Sequence, residues 1–299
     1  MAKNLVGKYV WLVETIYNAG RITYEDINKK WQQEDFDGKE LPLRTFHKWR
    51  IAVEEMFGLN IECERKGGYH YYIGNPEEIE NRGLRSWLLG TISVSNLLLD
   101  SQQLKSRILL EEVPSGVKYL SLIIDAMKTG NVVQIEYQSF WRKESSTLIL
   151  NPYCVRLFKQ RWYLLAYNSD YNELRTYSLD RIQDFKKLAE TFTIPDSFNA
   201  QEYFENYYGI IVKRGEVEDV KLRASKEQAN YLRSLKLHHS QQEVETHEDY
   251  SIFTYRLCPE LDFVIEIMSM GERVEVLEPK QLRNQIAESA EQLSRLYNG

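Results

Sequence analysis

The sequence predicts an α+β protein of several domains, with helices and strands grouped by segment. Three observations lead to this. Residues 1–75 run as three helical-period stretches followed by a strand–turn–strand pattern, and residues 132–179 are a succession of strand-like runs rich in aromatic and branched side chains. Residues 210–297 then alternate in a βαββαβ-like order. At 299 residues the chain is long enough for two or three domains, and 43% hydrophobic content is ordinary for a globular protein.

The first segment, 1–75, opens with a helix over residues 5–18, with Leu5, Tyr9, Leu12, Val13 and Ile16 at helical spacing, and Gly20 stops it. Thr23 is an N-cap for a second helix from about Tyr24 to Gln32, with Asp26 three residues on echoing a capping box. The polar loop 34–40 follows, and Pro42 then suits the first turn of a third helix from about Leu43 to Phe57. Phe46, Trp49, Val53 and Phe57 form its apolar stripe, while Arg44, His47, Lys48 and Ile51 lie opposite. Asn60–Arg65 and Tyr69–Ile73 around Lys66-Gly67-Gly68 read as a β-hairpin with a basic tip.

Three helices and a hairpin in this order are the plan of a winged helix-turn-helix DNA-binding domain. In that plan the third helix enters the major groove of double-stranded DNA, so Arg44, His47 and Lys48 are candidates for base edges or phosphates. Lys66 at the hairpin tip is a candidate for the backbone. Two readings stay open, because residues 1–75 hold eleven basic and eleven acidic side chains and are neutral as a segment. A helix with one solvated charged face, in a module used for protein docking, fits the same residues.

Residues 76–116 form a helical linker segment, too apolar at Ile79, Leu84, Trp87, Leu88, Ile92 and Leu97–Leu99 for a solvated tether, and Pro114-Ser115-Gly116 breaks it. A further domain, 117–195, opens with a helix from Tyr119 to Lys128. Strand runs follow at Val132–Tyr137, Thr147–Phe158, Arg161–Tyr167 and Glu173–Leu179. Alternation places Arg161, Tyr163 and Leu165 on one face of their strand, and Arg175, Tyr177 and Leu179 on one face of the next. Each strand therefore aims an arginine and a tyrosine one way, as an anion-binding surface on a small barrel needs.

Within Arg161-Trp162-Tyr163-Leu164 and the later Arg175-Thr176-Tyr177-Ser178-Leu179-Asp180-Arg181-Ile182, the sequence closely resembles the WYL domain, named for the tripeptide at 162–164. The resemblance implies a small Sm/SH3-like β-barrel that senses a nucleotide or nucleic-acid ligand, usually inside bacterial transcription regulators. Where many members carry a further basic residue, this chain has Ser178.

Residues 139–187 contain nine basic and five acidic side chains, a net +4 in a chain that totals −6. The chain is thus no general polyanion coat, and any anion has to be met by this local patch. Arg156, Arg161, Tyr163, Arg175, Tyr177 and Arg181 are the candidate effector-binding residues, since arginines take phosphates while aromatic rings stack bases. Trp162 and Leu164 are expected in the core. Asp180 is an available ion-pair partner for one of the arginines, so a purely structural role for Arg181 also stays open.

After the aromatic-rich connector Phe198–Tyr208, the C-terminal domain (210–299) reads as an α+β sandwich. Strands are expected at Val217–Leu222, Gln241–Glu248, Ser251–Cys258 and Arg273–Leu277, with helices after Ser225, at about Glu260–Met268 and at Lys280–Tyr297. Its order, ending in Gly271-Glu272-Arg273-Val274-Glu275-Val276-Leu277-Glu278-Pro279, resembles the C-terminal extension that often follows WYL domains. A part in oligomerisation or in transmitting the ligand signal is expected of it.

No phosphate loop, dinucleotide fingerprint or nucleophile elbow is present, so the expectation is a non-enzyme without a cofactor. His238-His239 with His247 lacks zinc-ligand spacing, and a surface loop with the two adjacent rings pointing apart is expected there. Cys63, Cys154 and Cys258 lie far apart and read as buried thiols in a reducing compartment. No apolar run reaches membrane-spanning length and Met1–Asn4 does not begin a secretory leader, so a cytoplasmic protein is expected. The functional expectation is a ligand-responsive DNA-binding transcriptional regulator acting as a homodimer on paired half-sites. The alternative is an RNA- or single-stranded-nucleic-acid-binding accessory factor whose winged helix docks a protein.

Overall fold

The computed structural model describes residues 5–33, 39–65, 67–80, 91, 116–213 and 215–298. The chain divides into two compact units, residues 1–111 and 112–299.

The first unit holds helices α1 (Leu5–Ala19), α2 (Tyr24–Gln33) and α3 (Leu43–Phe57), with strands β1 (Ile22–Thr23), β2 (Ile61–Glu64) and β3 (His70–Ile73). The capping expectation at Thr23 is realised, since its Oγ1 accepts from Asp26 N at 3.2 Å and donates to Asp26 Oδ2 at 3.0 Å. Thr23 does double duty, because Ile22 and Thr23 also pair with Tyr71 and His70 in an antiparallel sheet of order β1-β3-β2. Along α3, Phe46, Trp49, Val53 and Phe57 are all buried, as the period-3.6 pattern requires. They close a core with Trp31 and Tyr71, whose rings meet Trp49 and Phe46 edge-on at 5.2 and 4.8 Å. Leu5, expected on the inward stripe of α1, is exposed at the helix end. Most of the 76–116 segment, the loop residues 34–38 and Lys66 lie outside the described residues.

The second unit contains two sheets. The first has order β7-β6-β5-β4-β8, from β4 (Asn131–Tyr137), β5 (Ser146–Phe158), β6 (Arg161–Asn168), β7 (Glu173–Ser178) and β8 (Ile182–Thr191). Helix α4 (Val117–Thr129) covers one face, where Tyr119, Ile123 and Ala126 meet Val133, Ile135, Leu150, Leu164 and Ala166. Burying each of the valine, leucine and isoleucine side chains here stabilises by roughly 1.5–3 kcal/mol before chain entropy is subtracted. The barrel expectation is corrected here: among the described residues β7 and β8 are the two edges and do not pair, so no closed barrel forms. After β7, the 3-10 turn Leu179–Arg181 carries the chain away, and β8, which the sequence reading had not separated out, pairs with β4 at the far edge.

The second sheet, of order β10-β11-β9-β12, comprises β9 (Glu218–Ser225), β10 (Gln242–Thr246), β11 (Tyr250–Leu257) and β12 (Val274–Glu278). Helices α6 (Lys226–Ser234), α7 (Leu261–Ser269) and α8 (Lys280–Asn298) complete the βαββαβ order. Ser225 Oγ accepts from Gln228 N at 3.3 Å, the cap read from the sequence. Between the sheets runs the connector with helix α5 (Ala200–Glu205), capped by Asn199. The two sheets are stitched through it. Thr176 Oγ1 donates to Ile210 O at 3.2 Å, and Lys159 pairs with Glu266. Tyr208 packs edge-on against both Phe158 and Phe263.

Candidate functional site

The register of β6 decides which side chains can act together. Tyr163 stands opposite Arg156 on β5 and Ser178 on β7, and Arg161 stands opposite Phe158. Directly opposed residues point to the same face, so Arg156, Arg161, Tyr163, Thr176 and Ser178 share one side. Trp162, Leu164 and Ala166 share the other with Arg175 and Tyr177. Leu164, Ala166 and Tyr177 belong to the buried core and Trp162 packs against it, as expected of Trp162 and Leu164.

This register divides the predicted effector set. Tyr177 is buried, its hydroxyl accepts from Asn168 Nδ2 at 2.8 Å, and its ring meets Tyr137 edge-on at 5.4 Å. Arg175 pairs with Glu173, its guanidinium 3.6 Å from the Tyr171 ring centre. Neither faces Tyr163. The sequence reading assumed that the two arginine–tyrosine strands presented matching faces; the ladder offsets them by one residue, which reverses the side.

Three of the six do come together. Arg161 Nη1 lies 3.3 Å from Asp180 Oδ2, and Ser178 Oγ donates to the other oxygen of that carboxylate. The acid therefore serves Arg161, not Arg181. Arg181 lies with its guanidinium 3.8 Å from the ring centre of Phe140, and its Nε is buried without a hydrogen-bond partner. Burial raises the pKa of Tyr163; Arg161 and Arg181 pull it back down and Asp180 opposes them, so both cations lie within electrostatic reach of that phenol. Tyr137 completes the wall, accepting from Ser178 N at 3.2 Å; burial raises its pKa against the opposing pull of Arg181. The Phe140 ring over Arg181 and its neighbour Trp141, both on the β4–β5 loop, are 70% and 95% exposed. Neither ring belongs to the predicted effector set. Their position beside Arg142-Lys143 was the available signal.

Arg156 leaves this group for a cleft of about 450 Å³ that contains none of the other five. Its guanidinium lies 4.3 Å from the Phe204 ring centre, and Nη2 reaches Tyr208 O at 3.4 Å. The opposite wall is the turn holding His238 and His239. Their rings, centred 4.1 Å apart, do not point apart as expected: both direct Nε2 at the carbonyl of Glu205, at 2.7 and 2.9 Å. Both must donate there, and His238 Nδ1, 2.7 Å from Ser240 Oγ, is then an acceptor. Burial lowers the His238 pKa in agreement with that neutral tautomer. His247 is elsewhere, stacked 4.4 Å from the Tyr250 ring.

In the first unit, Arg44, His47 and Lys48 are exposed together on the outer face of α3, beside Ile51 at 59% exposure. Among the described residues neither Arg44 nor Lys48 has an ion-pair partner. Arg50, by contrast, donates Nε to Ile61 O at 3.1 Å and holds α3 to the hairpin.

Residues 118–187 match the WYL domain and residues 216–294 match the WCX domain. No curated protein matches the chain. Among solved structures the chain is similar to proteasome accessory factor B/C (PafBC) of Arthrobacter aurescens, with 18% identity and a TM-score of 0.33 over 81% of this chain and 39% of that one. It is also similar to a CRISPR Cas-related protein, with 11% identity and a TM-score of 0.42 over 97% of this chain and 80% of that one. The chain thus spans well under half the length of the PafBC chain it matches. Among the described residues no helix is long and apolar enough to cross a membrane.

Proposed function

We propose that this protein is a WYL-domain transcription regulator whose effector, a nucleotide or short nucleic acid, binds the Arg161–Tyr163–Arg181 basin. The observation that carries the reading is that Arg161 and Tyr163 share one sheet face inside the WYL-matching segment, with Arg161 and Arg181 both within electrostatic reach of the phenol. Arginine forks suit phosphates, and a stacked base contributes about 1–3 kcal/mol on an aromatic platform. In this reading the 1–75 segment is a winged helix-turn-helix that binds operator DNA through Arg44, His47, Lys48 and Lys66. The protein acts as a homodimer, because one recognition helix buries too little surface for operator affinity. The effector acts by binding one arrangement of the protein more tightly than another.

A panel of fluorescent dinucleotides and short single-stranded oligonucleotides tests the basin by anisotropy. Arg161→Ala and Arg181→Ala are expected to weaken binding at least tenfold; equal binding by variants and parent removes the assignment. Light scattering that finds only a 35 kDa species, even with DNA, removes the dimer.

The balanced charge of residues 1–75 favours a second reading, an RNA- or single-strand-binding accessory factor whose front module docks a protein. Arg44→Ala with Lys48→Ala separates the two. Loss of duplex binding supports the regulator, and unchanged binding of every nucleic acid supports the accessory factor.

A further inference from the structure

We propose that the cleft between β5, helix α5 and the His238–His239 turn is a second ligand site, which takes a small molecule carrying one anionic group on an aromatic body. It goes beyond the basin reading, since none of Arg161, Tyr163 or Arg181 lines the cleft.

Arg156 is left short of acceptors. A guanidinium has five N–H donors, yet among the described residues the sole hydrogen-bond acceptor of this one is Tyr208 O, at 3.4 Å. Its Nη1 is buried with no partner. An under-satisfied buried cation is costly to keep. The acid that bears on it electrostatically, Asp262, is already engaged: its Oδ2 accepts from Ile210 N and Ile211 N, both at 2.8 Å. Glu205, the carboxylate that lines the cleft, is exposed and makes no ion pair with Arg156.

The wall beside Arg156 is aromatic. Phe204 lies against the guanidinium at 4.3 Å, and Tyr207, Tyr208 and Leu237 supply further apolar surface. About 450 Å³ is within the range of small-molecule sites. A planar fork seated on a ring presents its edge to a carboxylate or phosphate, while the rings accept a flat body.

Two further titratable groups of the lining carry no charge at neutral pH. The Cys154 thiol is pushed up to about 11 by burial and stays protonated. Burial also keeps His238 neutral. Of the lining residues Arg156 carries the positive charge and the exposed Glu205 the negative one, so an anionic group is drawn to the buried, unpartnered Nη1 of Arg156. The cleft joins Cys154–Arg156 of the WYL-matching segment to Leu237–His239 of the WCX-matching one, so an occupant touches both.

Calorimetry on the full chain tests this with 1-naphthyl phosphate, 1-naphthoate and inorganic phosphate. One aryl anion is expected to bind once per chain, at least tenfold tighter than inorganic phosphate; which one binds tells phosphate from carboxylate. Phe204→Ala is expected to remove the aryl advantage, Arg156→Met to abolish binding, and Arg156→Lys, which keeps the charge without the fork, to weaken it several-fold. Arg181→Ala is expected to leave the Kd within twofold. The proposal is overturned if neither aryl anion binds, or if Arg156→Met and Arg156→Lys both bind like the parent. It is equally overturned if Arg181→Ala abolishes binding, which would place the anion in the basin.

Discussion

Ser178, not Tyr177, stands opposite Tyr163 across the β6–β7 ladder. The two tyrosines therefore do different jobs on opposite faces of one sheet, and substitution separates them. Tyr177→Phe leaves the wholly buried Asn168 amide without its 2.8 Å acceptor. An unsatisfied buried donor costs about 1–3 kcal/mol. Urea denaturation should show that loss with oligonucleotide binding intact. Tyr163→Phe should do the reverse, keeping the denaturation midpoint and weakening the probe several-fold.

Gly209 is fixed by Asp262. A Cβ at position 209 would lie 2.3 Å from Asp262 Oδ2 and 2.5 Å from its Cγ, the carboxylate that holds Ile210 and Ile211. Gly209→Ala is expected to destabilise the second unit by about 1–3 kcal/mol, the usual cost of overpacking. Asp262→Asn, which keeps an acceptor, should cost less than Asp262→Ala. Thermal denaturation of the three variants checks that order.

Acid should act in two separate windows. The His238 pKa is lowered by burial, so on folding the ring resists a proton that the unfolded chain accepts. Its contribution is complete above the ordinary histidine value of about 6.5 and is lost as pH falls through the depressed folded value. Glu243 is drawn down to about 2, chiefly by its hydrogen bonds from Arg233. Its contribution is complete above the usual glutamate range and is lost only as pH falls toward 2. His238→Gln should flatten the upper part of a stability–pH curve and leave the lower part; a curve unchanged by the substitution contradicts the assignment.

If α3 meets duplex phosphates, Arg44→Ala with Lys48→Ala should lower the slope of log K against log salt by roughly 2, about one per lost contact. Fluorescence titration at several salt concentrations reads the slope directly. A slope identical to the parent's would remove both side chains from the interface.

Helical periodicity was legible in the sequence wherever one face had to be buried. The stripe Phe46, Trp49, Val53 and Phe57 and the caps at Thr23 and Ser225 fell where spacing and side-chain chemistry put them. Sheet register was not legible. It depends on the turn after Asn168 and on the bulge between Pro152 and Cys154, and one residue of slip exchanges the faces. The expected barrel failed for a related reason, since strand runs do not say whether the two edges will meet. The cleft was harder still, because Arg156, Phe204 and His238 become neighbours only when the connector folds back between the sheets. The His238-His239 pair was visible in the sequence, but its common target, the Glu205 carbonyl, was not.

The near-complete exposure of Trp141, next in sequence to the ring that supports Arg181, gives the protein an optical reporter of its own. Indole emission shifts to the blue and loses sensitivity to iodide as water is excluded. Trp31, Trp49 and Trp162 are largely shielded. An effector that settles over the basin should therefore announce itself in the spectrum of the unlabelled chain, and Trp141→Phe should silence that signal.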